Sequence, residues 1–330
     1  MASCLPILRS ALSAGMTRLG RFAKLAVMSN TALPSSLASH AIPGRVDVEA
    51  SPLGGPVVRL SSGADRALVA LHGAQVLNWT HDGAGLFWMS PTARIRDGKG
   101  IRGGIPVCWP WFADHPTDPT MPAHGFVRHR AWTVAATHAT ADTASVSLTT
   151  MTGGEADRKL WPHVAELRLT VTLGAATLAL SLETHNRGGE AWPLTEALHT
   201  YFRVSDIAHV SVTGLDGCSY LDKLDAFARR PQSGPITVSG EVDRIYLGET
   251  SAITLHDAGF PRRISIEATG SRSAVVWNPW TAKTARLGDM GSPDAFRQMI
   301  CVETANAGDD VVTVAPGGTH TLGVAYRLIA

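Results

Sequence analysis

From about residue 47 onward, apolar residues recur at every second position rather than every 3.6. That period predicts half-buried strands at residues 56–61, 66–72, 131–137 and 144–150. HVAELRLTVTL (163–173) and ATLALSLETHN (176–186) predict a long hairpin that turns at Gly174. Further strands are predicted at 192–198, 208–213, 252–256, 262–268, 274–277, 298–303, 311–315 and 320–328. The helix candidates are short: the neighbourhood of Ser292 to Phe296, and part of the N-terminal segment. So many strands punctuated by Gly, Pro, Asn and Asp define an all-β chain, an antiparallel sandwich or barrel. No sustained helical segment is available to cross over between parallel strands, and no fixed period marks a propeller. Residues 47–330 contain no Pro/Ser linker and are expected to form one domain, preceded by an extension over residues 1–46 that is expected to be disordered.

One stretch breaks the alternation. Residues 101–116 read IRGGIPVCWPWFADHP, with three prolines, two tryptophans and a phenylalanine directly after an arginine. Proline fixes φ and removes a backbone donor, so this is neither a helix nor an interior strand. It is expected to be a pocket-forming loop. Arg102 would face a ligand, Gly103 and Gly104 would allow close backbone approach, and the aromatics would build a wall against water.

The 330 residues are 45% hydrophobic, enough for a large core. The net charge of +1 supplies no broad basic field for nucleic acid or an anionic membrane. No stretch is apolar and long enough to span a bilayer as a helix. Cys4, Cys108, Cys218 and Cys301 form no CxxC pair, which fits a reducing compartment without a disulfide framework. Residues 1–46 contain no Asp or Glu but carry Arg9, Arg18, Arg21, Lys24 and Arg45. That composition fits either a transit peptide or a translation start at Met16 or Met28. The expected location is the cytoplasm, or an organelle if the extension directs import.

Four segments carry candidate chemistry: Arg102 to Phe112, Pro122 to Arg128, Glu196 to Phe202, and Trp277 to Trp280 with Cys301 to Glu303. His199 ends a strand-like run, where a histidine can be purely structural. Glu303 follows the apolar run Met299 to Val302, where a carboxylate needs a salt-bridge partner or a function. Together they could be a general acid/base pair, and spacing alone leaves the pairing open. A metal site would draw on His124, His129, His199 and Glu303, but no HxH or HExxH pattern supports it. No GxSxG nucleophile elbow and no Gly-rich phosphate loop is present, so neither a serine nucleophile nor a nucleotide cofactor is expected. Trp109, Trp111, Phe112, Trp277 and Trp280 are either core residues or faces on which a sugar ring could stack.

Taken together, RGGIPVCWPWF, PAHGFVRHRAW, ALHTYFRVSDI, VDRIYLG and VVWNPW…MICVE resemble the D-hexose-6-phosphate mutarotases (glucose-6-phosphate 1-epimerases) of the galactose mutarotase-like superfamily. The resemblance runs from about residue 50 to the C-terminus, with the motifs in the family's order. It implies a large antiparallel β-supersandwich and cofactor-free, metal-free interconversion of hexose 6-phosphate anomers. By similarity His199 is the general acid at the ring oxygen O5, and Glu303 the base at the C1 hydroxyl. The resemblance also implies substrate contacts by His124 near the anomeric end, by Asp243 to a sugar hydroxyl, and by Gln75 as a polar pocket residue. Arg102 and Arg128 match phosphate-associated arginines, with His129 and Arg130 beside Arg128. In mutarotases of neutral sugars a position like Arg102 contacts hydroxyls instead, so Arg128 carries more of the phosphate argument. Val127 stands where the family more often has Ala, and WPWF where FPWF is common. The expected partner is a small-molecule sugar phosphate bound by a monomer. A non-catalytic sugar binder, a mutarotase of neutral aldoses and a structural β-sandwich protein remain the alternatives.

Overall fold

A computed structural model describes residues 35–260 and 262–329, all within the compact unit Leu33–Ala330. Three antiparallel sheets and one two-stranded ribbon make up the architecture. The first sheet has five strands in chain order from Val46–Ala50 to Ala84–Gly85. The second has eight, with Val210–Thr213 at one edge and Thr133–Ala139 at the other. At its middle, Thr177–Asn186 lies between Ala165–Gly174 and Thr319–Ile329. The third, also eight-stranded, carries the residues of interest. Its centre is the antiparallel pair Ser273–Asn278 and Met299–Asn306, and Glu196–Leu198, Tyr201–Arg203 and Val107–Cys108 complete one flank.

Alternation explains the second sheet. Ala165–Gly174 buries every other residue, so Ala165, Leu167, Leu169, Val171 and Leu173 form one apolar face. Ser273–Asn278 and Met299–Asn306 are buried at every position because both faces of the third sheet are covered. Ala274, Val276, Ile300 and Val302 face the main core. Val275, Trp277, Cys301 and Ala305 face a smaller cluster on the opposite side. Glu303 shares that second face by the two-residue period. Each fully buried Leu, Ile or Val contributes about 1.5–3 kcal/mol of transfer free energy, so the main core anchors the strands that present this face.

Several elements depart from the sequence reading. The long hairpin turns at Ala175–Ala176, with Ala176 at φ +47°, while Gly174 is the last residue of its strand and pairs with Thr177. The run 192–198 divides into Trp192–Leu194 and Glu196–Leu198 in different sheets. The break is at Thr195, which donates its N–H to Pro110 and accepts the N–H of Phe112 on its hydroxyl. Near Ser292 the helix is a 3-10 turn, Ala295–Gln298. The helix Trp280–Leu287 and the strand Val242–Leu247 were not predicted. The proline-rich stretch contributes only the two-residue edge strand Val107–Cys108.

Residues 35–46, expected to be part of a disordered extension, belong instead to this folded unit: Arg45 donates to the carbonyls of Ser61 and Thr143, both at 2.9 Å. A four-residue helix, Ser35–Ala38, is the described helical part of the extension, whose remaining basic residues and Cys4 lie outside the described residues. Cys108, Cys218 and Cys301 are free, buried thiols. No described helix is long and apolar enough to cross a membrane.

Candidate active site

The smaller apolar face of the third sheet floors a cavity of about 380 Å³. Its wall includes Arg102, His124, Arg128, His199, Asp243 and Glu303, which the sequence reading had drawn from five separate segments. His199 Nε2 lies 3.4 Å from Glu303 Oε1, and both side chains are almost completely buried. His199 stands in the short link between Glu196–Leu198 and Tyr201–Arg203. Its N–H donates to Pro106 at 3.0 Å, and that of Tyr201 to Gly104 at 2.9 Å. The RGGIP segment therefore clamps the histidine-bearing strand. Gly104 is required there: φ is +61°, and a Cβ would stand 2.2 Å from the Val76 carbonyl oxygen. The His199 ring stacks on Tyr201 with centroids 4.8 Å apart and planes 15° apart, and Trp277 meets it edge-on at 6.0 Å.

His124 is held under strain. Its φ of +63° and that of Ala113 at +62° are both left-handed, a conformation that costs non-glycine residues about 1–3 kcal/mol each. The two residues bond reciprocally: His124 N–H donates to the Ala113 carbonyl at 2.6 Å, and Ala113 N–H donates to His124 Nδ1 at 3.3 Å. Because Nδ1 accepts, Nε2 carries the proton of the neutral ring. The ring centroid lies 5.4 Å from that of His199.

Four cations line the same cavity: Arg102, Arg128, Lys223 and Lys283. Arg102 makes three contacts. Its Nε and Nη2 meet Asp289 Oδ2 at 3.0 and 2.9 Å, and Nη1 donates to the Tyr201 hydroxyl at 2.7 Å. Arg128 donates through Nη2 to the Ala123 carbonyl at 2.9 Å, while its buried Nε has no partner. Asp243 pairs with two ammonium groups, Lys223 at Oδ1 and Lys283 at Oδ2, each at 3.3 Å.

These surroundings set the protonation of the site. Burial, then the fields of Arg102 and Arg128, hold His199 well below the usual histidine range. Burial, then His199 and Arg128, do the same to His124. Burial, then the Asp243 charge, push Glu303 well above the usual carboxylate range, with Lys223 opposing. Both shifts favour the neutral forms of His199 and Glu303, and the 3.4 Å contact gives a proton a short path between them.

Other residues fall elsewhere. Gln75 is fully buried and lies outside the cavity wall. Its amide donates to the carbonyls of Ile101 and Gly103 at 3.1 and 2.6 Å, bracing the loop that carries Arg102. Trp109 is core, packed edge-on against Trp161 and Trp192 at 4.8 and 6.2 Å, and Trp280 packs on Phe296 at 4.9 Å. Of the five aromatics, only Phe112 and Trp277 line the cavity. Arg130 is paired with Asp157 at 3.1 Å, and neither it nor His129 borders the cavity. His129 therefore does not join His199 and Glu303. The described residues instead place Cys301 beside them, with ligand atoms within 4.8 Å of one another. Burial, then Glu303, hold that thiol far above its usual range, which disfavours the thiolate a metal requires.

Sequence reasoning missed Tyr201, Lys223, Lys283 and Asp289. Tyr201 had a signal, since it lies two residues beyond His199 and so on the same face. A larger cavity of about 450 Å³ beside Trp111 and Trp161 holds Asp114 and His115 but no buried acid–base pair.

The antiparallel supersandwich is the fold of the galactose mutarotase-like proteins. The chain belongs to the aldose 1-epimerase family, whose profile matches residues 56–327. It is an epimerase by that membership. Among its relatives is an Escherichia coli protein named "Putative glucose-6-phosphate 1-epimerase", 37% identical over 74% of this chain and 81% of its own length. A Cenchrus ciliaris protein of the same name is 37% identical over 76% of this chain and 78% of its own. A crystal structure from Salmonella typhimurium, described as a "putative mutarotase", covers 89% of this chain and 98% of its own at 27% identity, with a TM-score of 0.80.

Proposed function

We propose that the protein interconverts the α and β anomers of a hexose 6-phosphate by general acid/base ring opening and closure. The observation that carries this reading is the His199–Glu303 contact at 3.4 Å on the floor of a cavity lined by four cations. Glu303 as carboxylate takes the proton of the C1 hydroxyl while imidazolium His199 protonates O5 and the C1–O5 bond breaks. The C1–C2 bond of the open aldehyde rotates. The carbonyl oxygen then recovers a proton from Glu303, and His199 takes back the proton of the C5 hydroxyl as the ring closes. Proton count is conserved, and the residues return to their starting states.

The phosphate has a part in this cycle. The cationic field that depresses His199 arises from Arg102, Arg128 and Lys223. A bound phosphate dianion offsets that field and favours the imidazolium. A neutral sugar lacks this effect, so the site is matched to the phosphate ester. His124, with its proton on Nε2, serves as a donor near the anomeric end, and Asp243 as an acceptor for a sugar hydroxyl. The relatives' names point to the same substrate class.

Polarimetry of freshly dissolved α-glucose 6-phosphate, with and without protein, tests the reading. A protein-dependent rise in rate, lost in His199→Ala, is expected. Binding of the sugar phosphate without any rise in rate would identify a sugar binder instead.

A further inference from the structure

The mechanism above counts Lys223 in the cationic field around His199 but gives it no contact with the substrate. Its side chain is 23% exposed, and its ammonium sits 3.3 Å from Asp243 Oδ1 and 5.9 Å from the centroid of Phe112. It has no other polar partner among the described residues. The remaining cations of the wall differ. Arg102 is anchored by both Asp289 and Tyr201. Lys283 is held by Glu241 at 3.0 Å as well as by Asp243 at 3.3 Å. Asp243 is thus a single negative charge shared by two ammonium groups at equal distance, of which only Lys283 also meets it in hydrogen-bond geometry.

The local fold favours movement of this side chain. Lys223 opens the 3-10 turn Lys223–Asp225 at the tip of a hairpin, followed by Ala226 and Phe227 at φ +46° and +61°. Leu224 and Phe227 are 51% and 52% exposed, so packing anchors the tip only lightly. An incoming dianion offers a stronger electrostatic partner than half of a shared carboxylate.

We propose that Lys223 is a specificity-determining residue, whose ammonium passes from Asp243 Oδ1 to the 6-phosphate and thereby frees that oxygen to accept a sugar hydroxyl. Arg128, on the wall of the same cavity, supplies the second cationic contact to that phosphate. The inference rests on the hexose 6-phosphate reading and adds to it a residue that distinguishes the ester from the free sugar.

The test compares kcat/KM for glucose 6-phosphate and for glucose in the wild type, Lys223→Met and Lys223→Arg. The preference for the phosphate should fall about 10- to 100-fold in Lys223→Met, the range for losing one charge-assisted hydrogen bond. Lys223→Arg should restore most of it. A wild-type preference that persists undiminished in Lys223→Met overturns the assignment of Lys223 alone. An equal loss on both sugars, with no rescue by arginine, also overturns it and marks a structural role. A wild type with no preference overturns both the lysine and the substrate reading beneath it.

Discussion

Replacing Glu303 by glutamine separates function from stability with a change of one atom type. Glutamine keeps the volume and can still meet His199 Nε2 across the 3.4 Å contact, but it cannot take a proton from a hydroxyl. General base catalysis is worth about 10²- to 10⁴-fold, so kcat should fall by that factor, equivalent to about 3–5 kcal/mol of barrier. Stability should move the other way. The Glu303 side chain is only 1% exposed, and its folded-state pKa is raised. In the unfolded chain the carboxyl ionises above about pH 4.5, whereas in the folded chain ionisation is opposed. At neutral pH the wild type therefore loses stability that glutamine does not lose. Below the unfolded pKa both side chains are neutral, and the difference vanishes. Thermal unfolding of the two proteins should coincide near pH 4 and diverge in favour of Glu303→Gln as pH rises to 8, while polarimetry shows the activity loss. Activity within tenfold of wild type would refute the assigned base. A lower melting temperature at pH 8 would refute the electrostatic reasoning.

Other outcomes follow from the same geometry. In the free protein His199 should remain neutral below the usual histidine range, and saturating glucose 6-phosphate should raise its pKa; ¹⁵N-detected histidine NMR reads both, and an unchanged or lowered value contradicts the role given to the phosphate. Gly125→Ala should cost about 2–4 kcal/mol in urea denaturation, because at φ +69° its Cβ would lie 1.8 Å from the Trp109 carbonyl oxygen. Exhaustive chelation should leave mutarotation unchanged, and a large loss would show that His199, Cys301 and Glu303 hold an ion.

The fold was legible where one face of a strand is wet. Ala165–Gly174 and Thr177–Asn186 alternate almost without error, and their hairpin was read to within two residues of its turn. Legibility failed where both faces are covered or the element is brief. Val242–Leu247 buries Val, Asp, Ile and Tyr in a pattern without a period of two, and Tyr201–Arg203 is too short to show one. The candidate acid and base stood out because a histidine and a glutamate each terminate apolar runs. Lys223 and Asp289 did not, because each lies in a turn whose sequence resembles any solvated loop. Only the topology brings the turn at Lys223 beside Asp243 and the segment at Asp289 onto Arg102. The aromatic loop was half legible: composition marked it as unusual, but backbone geometry decides that Phe112 faces the cavity while Trp109 enters the core.

The most direct measurement is two-dimensional NMR exchange spectroscopy on one tube holding glucose 6-phosphate and glucose at anomeric equilibrium, with and without the protein. The account expects the α–β cross-peaks of the phosphate ester to grow with protein concentration, while those of glucose stay near the protein-free rate. Cross-peaks for both sugars that match the protein-free control would contradict the catalytic claim, and equal acceleration of both would contradict the role given to the phosphate.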